Sequence, residues 1–128
     1  MPLVRIDVLQ GRSTEYRMAI GEGIHRAMVE AIGIPEDDHF QVVTEHAGDG
    51  IVYDPQYLGV KRSDGVVFVQ ITMSYGRKPQ QKRELYKRIV RNLSTSPGVR
   101  PEDVFINIVE VAWENWSFGD GAAQYMDV

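Results

Sequence analysis

The chain opens on PLVRIDV, the stretch Pro2–Val8, in which Val4, Ile6 and Val8 alternate with residues of mixed polarity. Alternation with a period of two is typical of a β-strand that turns one face toward a hydrophobic core. The opening stretch therefore predicts a strand at the amino-terminal end of the fold.

The same order of signals then occurs twice along the chain. Each time a strand is followed by a Gly-Arg pair, an amphipathic helix, a Pro-Glu-Asp turn and a second strand. Gly11 and Gly76 lie 65 positions apart, and Pro35 and Pro101 lie 66 apart. The predicted strands are 2–8, 40–46, 66–73 and 104–111, and the predicted helices begin at Ser13 or Thr14 and near Pro79. This pattern predicts an α/β (α+β) fold, in which tandem β-α-β units form a four-stranded sheet with two helices on one face.

The duplication also predicts the domain organisation. We expect one domain over residues 1–128, made of two β-α-β repeats at about 2–46 and 66–111 and a C-terminal tail at 112–128. The connection 47–65 is rich in Gly, Asp, Pro and Tyr and has room for a small hairpin.

Two helices can cover only one face of such a sheet. The inner strands nevertheless carry apolar residues on both faces, among them Phe68 and Ile106. Packing of the bare faces of several copies against one another would cover them, and the sequence therefore predicts a homo-oligomer.

Composition excludes several classes of function. The chain has no cysteine, which rules out disulfides, thiolate metal ligands and cysteine nucleophiles. Its net charge of −4 argues against a general nucleic-acid binder. No run of 18 apolar residues and no secretory signal is present, so we expect a cytoplasmic protein without a membrane partner. The three histidines lack the spacing of metal ligands, so no metal is expected; they are His25, His39 and His46.

Pro2 is a candidate catalytic residue because of its position. Removal of Met1 would convert its nitrogen from an amide into a secondary amine, whereas a proline inside the chain has no basic nitrogen. A free α-amino group titrates at about pH 7.7 to 8.0, close to the range in which general acid–base catalysis is efficient. An inert processed terminus is the simpler alternative.

Several motifs together resemble the tautomerase superfamily, and most closely its malonate semialdehyde decarboxylase branch. They are Pro2 after the initiator Met, IPEDDHFQ at Ile34–Gln41, the second-helix stretch Gln81–Tyr86, NWSFG at Asn115–Gly119 and AQY at Ala123–Tyr125. The resemblance covers essentially the whole chain. It implies a trimer, a proline at the bottom of a small pocket near a subunit boundary, a small carboxylate-bearing substrate, and no metal or organic cofactor.

The resemblance also implies roles for individual residues. Pro2 matches the catalytic proline, and Asp38 matches an aspartate that orients or activates water. Arg77 matches one of two arginines that hold the substrate carboxylate, while Tyr75 stands where the other arginine falls. The phenol of a tyrosine supplies one neutral hydrogen bond, whereas the guanidinium of an arginine supplies a charged pair of N–H donors. This departure from the family pattern puts decarboxylation of malonate semialdehyde in doubt. The residues that match the apolar wall of the pocket are Trp116, Phe118 and Tyr125.

Each of these side chains also has a structural interpretation. Arg77 could be a solvated residue near a helix start, and Asp38 could belong to an acidic turn. Trp116 and Phe118 could pack in the core or at an interface, and Tyr75 could be a strand-end aromatic residue.

Three functions remain open from the sequence. The first is a cofactor-free tautomerase that uses Pro2 as general base on a small 2-keto or enol acid. The second is a decarboxylase or hydratase that uses protonated Pro2, with Asp38 handling water. The third is a non-catalytic, ferredoxin-like module that binds a small ligand.

Overall fold

Two strand–helix–strand units follow one another in the computed structural model, which describes residues 2–126. The main elements are β1 (Pro2–Leu9), α1 (Thr14–Ile32), β2 (Gln41–His46), β3 (Val67–Ser74), α2 (Pro79–Thr95) and β4 (Val104–Val111). Three short 3₁₀ turns lie at Tyr57–Gly59, Pro101–Asp103 and Trp113–Asn115. The predicted four strands and two helices are confirmed, with shifts of one or two residues at their ends.

The strands form one sheet in the order β2-β1-β3-β4. β1 and β2 are parallel, β3 and β4 are parallel, and β1 and β3 are antiparallel, with Pro2 opposite Met73. Parallel pairing also brings the start of β1 beside the segment that enters β2, where the amide of Val4 donates to the carbonyl of Phe40 at 3.1 Å. The start of β1 therefore lies between the entry to β2 and the exit from β3.

The hydrophobic core lies on one face of the sheet, under both helices. Side chains of β4 that pack partly buried against it are Val104, Ile106 and Ile108. The fully enclosed members from the other elements are Val4, Ile6, Val8, Val67, Val69, Ile71 and Met73 of the sheet, and Ile20, Ile24, Ala27, Met28, Leu85, Ile89 and Leu93 of the helices. On the opposite face Phe68 and Phe105 contact each other, with ring centroids 5.2 Å apart, and Phe105 is exposed. Residues of the connection 47–65, among them Val52 and Tyr57, lie beside these two rings, but Phe105 remains 48% exposed in a single chain.

α1 has the ends that its sequence predicts. The Ser13 hydroxyl accepts a hydrogen bond from the amide of Tyr16 at 3.1 Å and caps the first turn. Gly33 ends the helix in the left-handed conformation, with φ of 69°, and its amide donates to the carbonyl of Val29 at 3.2 Å.

The connection 47–65 forms no hairpin, so that expectation was wrong. Instead, Arg62 extends along the segment, and its guanidinium donates to the carbonyls of Asp54, Tyr57 and Val60 at 3.1 to 3.3 Å. Carbonyl groups that would pair across a hairpin are thus satisfied by one side chain.

Gly23 allows α1 and α2 to pack closely. A Cβ atom at this position would lie 2.9 Å from Cδ2 of Leu93, and the Asn92 amide donates to the Gly23 carbonyl at 3.0 Å. Alanine favours a helix over glycine by about 1 kcal/mol, but overpacking a core costs roughly 1–3 kcal/mol. We therefore expect Gly23→Ala to lower the free energy of unfolding by about 1 kcal/mol, measured by urea denaturation.

A shorter side chain at position 93 provides the control for this prediction. In the Leu93→Val background, Gly23→Ala should cost less than it does alone, because the clashing methyl group is gone. A Gly23→Ala variant as stable as the wild type would contradict the packing argument.

Candidate active site

A cavity of about 240 Å³ opens beside the start of β1. Pro2, itself buried, forms one part of its lining. The other lining residues are Leu3, Phe40, Trp116, Ser117 and Phe118. The residue at the beginning of the first strand therefore faces a small, largely apolar hollow built from three distant parts of the chain.

Arg77 lies three residues after the end of β3, the strand that pairs with β1 at Pro2, and it is not a lining residue of the cavity. Gly76 turns the chain there with φ of 126°, a conformation that side-chain-bearing residues rarely adopt. The Arg77 guanidinium donates to the carbonyl of Ser74 at 3.3 Å, and its charge acts on the carboxyl group of Asp38. α2 begins two residues later at Pro79, so the positive end of its dipole adds to the charge of Arg77.

Asp38 lies in the segment that enters β2, on the other side of β1. Burial raises the pKa of its carboxyl group, and the neighbouring charge of Asp37 raises it further. His25 and Arg77 act in the opposite direction. The interaction with Arg77 places the two candidate charged groups within electrostatic reach of each other, although they are far apart in sequence.

The C-terminal segment supplies the aromatic wall. The rings of Trp116 and Phe118 stack with centroids 5.5 Å apart, and Tyr125 meets Phe118 edge-on at 4.9 Å. The Gln124 side chain holds this turn, because its carbonyl oxygen accepts from the Phe118 amide at 3.0 Å. Burial, followed by the charge of Asp38, raises the pKa of Tyr125.

The structure brings most of the predicted site residues to one end of the sheet. Pro2, Trp116 and Phe118 line the cavity. Tyr75 does not line it: its side chain is 54% exposed where the chain leaves β3. Tyr125 is not a lining residue of the cavity, but its ring contacts Phe118, and the charges of Asp38 and Arg77 both act on its hydroxyl group.

Sequence reasoning missed three lining residues, Leu3, Phe40 and Ser117. The signal for Phe40 was available, because parallel pairing of the first two strands must place the entry to β2 beside Pro2. Ser117 had no such signal, since it lies in an irregular segment whose path depends on tertiary contacts.

A larger cleft of about 440 Å³ lies between α1 and β2, away from Pro2. Its cation, Arg17, is already paired with Glu45 at 3.1 Å. Because this pairing neutralises the cleft, the smaller cavity beside Pro2 is the better candidate for binding an anionic substrate.

Residues 2–126 contain no cluster of three or more His, Asp or Glu residues that could hold a metal ion. None of the helices in that range has the length and apolar character needed to cross a membrane.

The raised pKa of Asp38 predicts a dependence of stability on pH. The folded chain holds this proton more tightly than the unfolded chain, so the ionised carboxylate opposes folding once the pH exceeds the folded-state pKa. Asp38→Asn should therefore be more stable than the wild type at pH 7, and the difference should shrink as the pH falls and the carboxyl group becomes protonated. Thermal unfolding at pH 7 and pH 3 measures both values.

Asp49→Asn is the control, because Asp49 is an exposed aspartate whose charge is not among the causes of the pKa shift of Asp38. An Asp38→Asn variant that is less stable than the wild type at pH 7 would contradict the account of Asp38.

Comparison with known proteins identifies the family. A family model described as "Tautomerase enzyme" matches residues 38–119, and a second model with the same description matches residues 2–61. The chain belongs to the tautomerase family and is therefore an enzyme. A non-catalytic binding module is not supported.

Individual relatives place the chain more narrowly. It is 39% identical to "Probable tautomerase YusQ" of Bacillus subtilis (strain 168), over 99% of this chain and 100% of that protein. A malonate semialdehyde decarboxylase named FG41, solved with the inhibitor 3-bromopropiolate, is 40% identical with a TM-score of 0.92, and the match covers 98% of this chain and 95% of the other.

Two further structures agree with this placement. A malonate semialdehyde decarboxylase studied for its decarboxylase and hydratase activities is 32% identical, with a TM-score of 0.92 over 98% of this chain and 96% of that one. A fused 4-OT, solved as a symmetric trimer, is 19% identical, with a TM-score of 0.79 over 98% of this chain and 99% of that one, and shows the shared fold alone. The chain thus lies in the malonate semialdehyde decarboxylase-like branch of the tautomerase superfamily.

Proposed function

We propose that this enzyme is a cofactor-free tautomerase that interconverts the enol and keto forms of a small 2-keto acid, with Pro2 as general base once Met1 has been removed. The observation that supports it most is the position of Pro2, which is buried, lines a cavity of about 240 Å³ and pairs with β3, the strand that ends at Ser74, three residues before Arg77. A base that lines a small apolar cavity and a cation in the turn after the neighbouring strand are the two groups that such a proton transfer needs.

In the ketonisation direction, the neutral amine of Pro2 removes the proton from the enol hydroxyl group. The electron pair of that O–H bond becomes the π bond of the carbonyl group, and the electron pair of the C=C bond takes the proton back from the ammonium to form the new C–H bond. Only bonds to hydrogen are exchanged between enzyme and substrate.

Arg77 binds the substrate carboxylate and stabilises the charge that develops on the enolate oxygen. Its guanidinium donates to the carbonyl of Ser74 at 3.3 Å, and its five N–H donors suit the two oxygens of a carboxylate. Asp38 lies within electrostatic reach of Arg77 and orients the polar end of the substrate. Trp116 and Phe118 contact the apolar body of the substrate.

A second candidate function is decarboxylation or hydration of a three-carbon acid, with Pro2 protonated. The 40% identity to a malonate semialdehyde decarboxylase favours it. In this reaction Asp38, whose pKa is raised by burial, would handle water. Release of carbon dioxide from malonate semialdehyde would support this function, and its absence would exclude decarboxylation.

We also propose that the enzyme is a homotrimer. One face of the sheet carries exposed apolar side chains such as Phe105 and Val109, which a second copy would cover. A structural neighbour that shares the fold is a symmetric trimer. Size-exclusion chromatography with light scattering should give three times the chain mass of 14.5 kDa, and a monomer would contradict the proposal.

The function itself is tested by following the ketonisation of phenylpyruvate in the ultraviolet. The intact mass of the same sample must show that Met1 has been removed. A rate well above that of buffer alone is expected, and no acceleration by the processed protein would refute the proposed function.

A further inference from the structure

Ser74, the last residue of β3, makes contact with two of the candidate site residues. Its side chain is fully buried. Its hydroxyl oxygen accepts a hydrogen bond from Nε1 of Trp116 at 3.0 Å, and its carbonyl accepts from the Arg77 guanidinium at 3.3 Å. One residue therefore joins the aromatic wall of the cavity to the candidate carboxylate-binding group.

The bond to Trp116 has a fixed direction. An indole nitrogen can only donate, so the Ser74 hydroxyl must accept. An alanine in place of Ser74 offers no acceptor to the indole, whereas threonine keeps the hydroxyl group and suits a strand.

Trp116 depends on this bond because of where it lies. It follows the 3₁₀ turn Trp113–Asn115 in a segment without regular backbone hydrogen bonding. The contacts that hold its ring are the stacking with Phe118 and the hydrogen bond to Ser74. Phe118 belongs to the same irregular segment, so Ser74 is the hydrogen-bonding partner that ties the indole to the sheet.

We propose that Ser74 is a positioning residue that holds Trp116 against the Pro2 cavity and thereby determines how tightly the enzyme binds the apolar body of its substrate. This inference rests on the proposed function. Ser74 does not line the cavity, and it acts through Trp116. The contact that it supports is made in the ground state and the transition state alike, so its loss should raise KM more than it lowers kcat.

The experiment compares Ser74→Ala, Ser74→Thr, Trp116→Phe and the double variant Ser74→Ala/Trp116→Phe with the wild type. We expect Ser74→Ala to raise KM for phenylpyruvate roughly tenfold, with kcat within about threefold of the wild type. Trp116→Phe keeps an aromatic ring but removes the donor, so it should behave similarly, and the two effects should not add. Ser74→Thr should restore most of the affinity.

Nitrogen NMR of the indole N–H groups gives a readout that does not depend on activity. The Trp116→Phe spectrum assigns the Trp116 signal, which Ser74→Ala should shift and expose to faster hydrogen exchange. Ser94→Ala, on the exposed side of α2, is the control and should alter neither the signal nor KM.

The outcomes separate this inference from the proposed function. If the wild type binds phenylpyruvate by calorimetry but does not turn it over, the proposed function fails, and the dissociation constants of the same variants test Ser74. Unchanged affinity and an unchanged indole signal in Ser74→Ala would overturn the inference. A loss confined to kcat and thermal stability would also overturn it, since a purely structural role predicts that result. A wild type that neither binds nor turns over phenylpyruvate would refute both.

Discussion

Pro2→Ala is expected to lower kcat/KM for phenylpyruvate ketonisation by about a hundredfold or more, within the 10²- to 10⁴-fold range of a positioned general base. The variant still has a terminal amine after removal of Met1, but the ring that fixes the nitrogen is gone. Pro2 is buried and its strand pairs with β3 at Met73, so the backbone around the substitution is held in place. Steady-state kinetics with the intact mass of each sample measures the effect.

A variant in which the Pro2 nitrogen is not basic gives a stricter test of its role as general base. Insertion of one alanine between Met1 and Pro2 turns the Pro2 nitrogen into an amide, which is not basic. This variant keeps every side chain of the cavity and should lose activity at least as completely as Pro2→Ala. Wild-type rates in both variants would show that the Pro2 nitrogen takes no part in the reaction.

Arg77→Ala is expected to lower kcat/KM roughly a hundredfold, because the substrate carboxylate and the developing enolate lose their cation. Arg77→Lys should recover part of this loss, since lysine restores the charge but not the planar pair of donors. The loss should appear in both KM and kcat, because the guanidinium meets the substrate in the ground state and the charge that builds up in the transition state.

Arg83→Ala is the matched control for Arg77. Arg83 is an exposed arginine on α2 that contacts Gln80 at 3.3 Å, and we expect its removal to leave the kinetics unchanged. If Arg77→Ala and Arg83→Ala lowered kcat/KM equally, Arg77 would contribute only to the overall electrostatic field of the protein. That result would contradict the proposed binding role.

The fold could be predicted from the sequence because its signals are local. Apolar residues that alternate with a period of two predicted the strands, and apolar residues at helical spacing predicted the helices. Gly and Pro residues marked the ends of these elements, and all four strands and both helices are found in the structure. The repetition of one unit then predicted two right-handed crossovers with both helices on one face. The order of the strands, which places Pro2 between the entry to β2 and the exit from β3, was not predicted and comes from the structure.

The details of the cavity could not be predicted in the same way. The bond between Ser74 and Trp116 joins residues that are 42 positions apart, and one of them lies in an irregular segment. No periodic pattern signals such a contact. Tyr75 stands where the resemblance places a second arginine, and in a single chain it is 54% exposed just after the end of β3, so its role in the site stays a prediction.

The protonation state of Pro2 decides between the two candidate reactions. A neutral amine at pH 7 suits a tautomerase, whereas a protonated amine suits a decarboxylase or hydratase. Burial of Pro2 and the charge of Arg77 favour the neutral form, and the carboxylate of Asp38 acts against them. The balance of these effects, and not the fold, separates the two functions.

Nitrogen NMR of protein labelled at Pro2 measures this balance directly. We predict a secondary-amine signal that titrates below about pH 8, the ordinary value for a terminal amine, and that moves to higher pH in Arg77→Ala. An amide-type signal that does not titrate, or an amine that stays protonated well above pH 8 and ignores Arg77, would contradict the proposal that Pro2 is the general base.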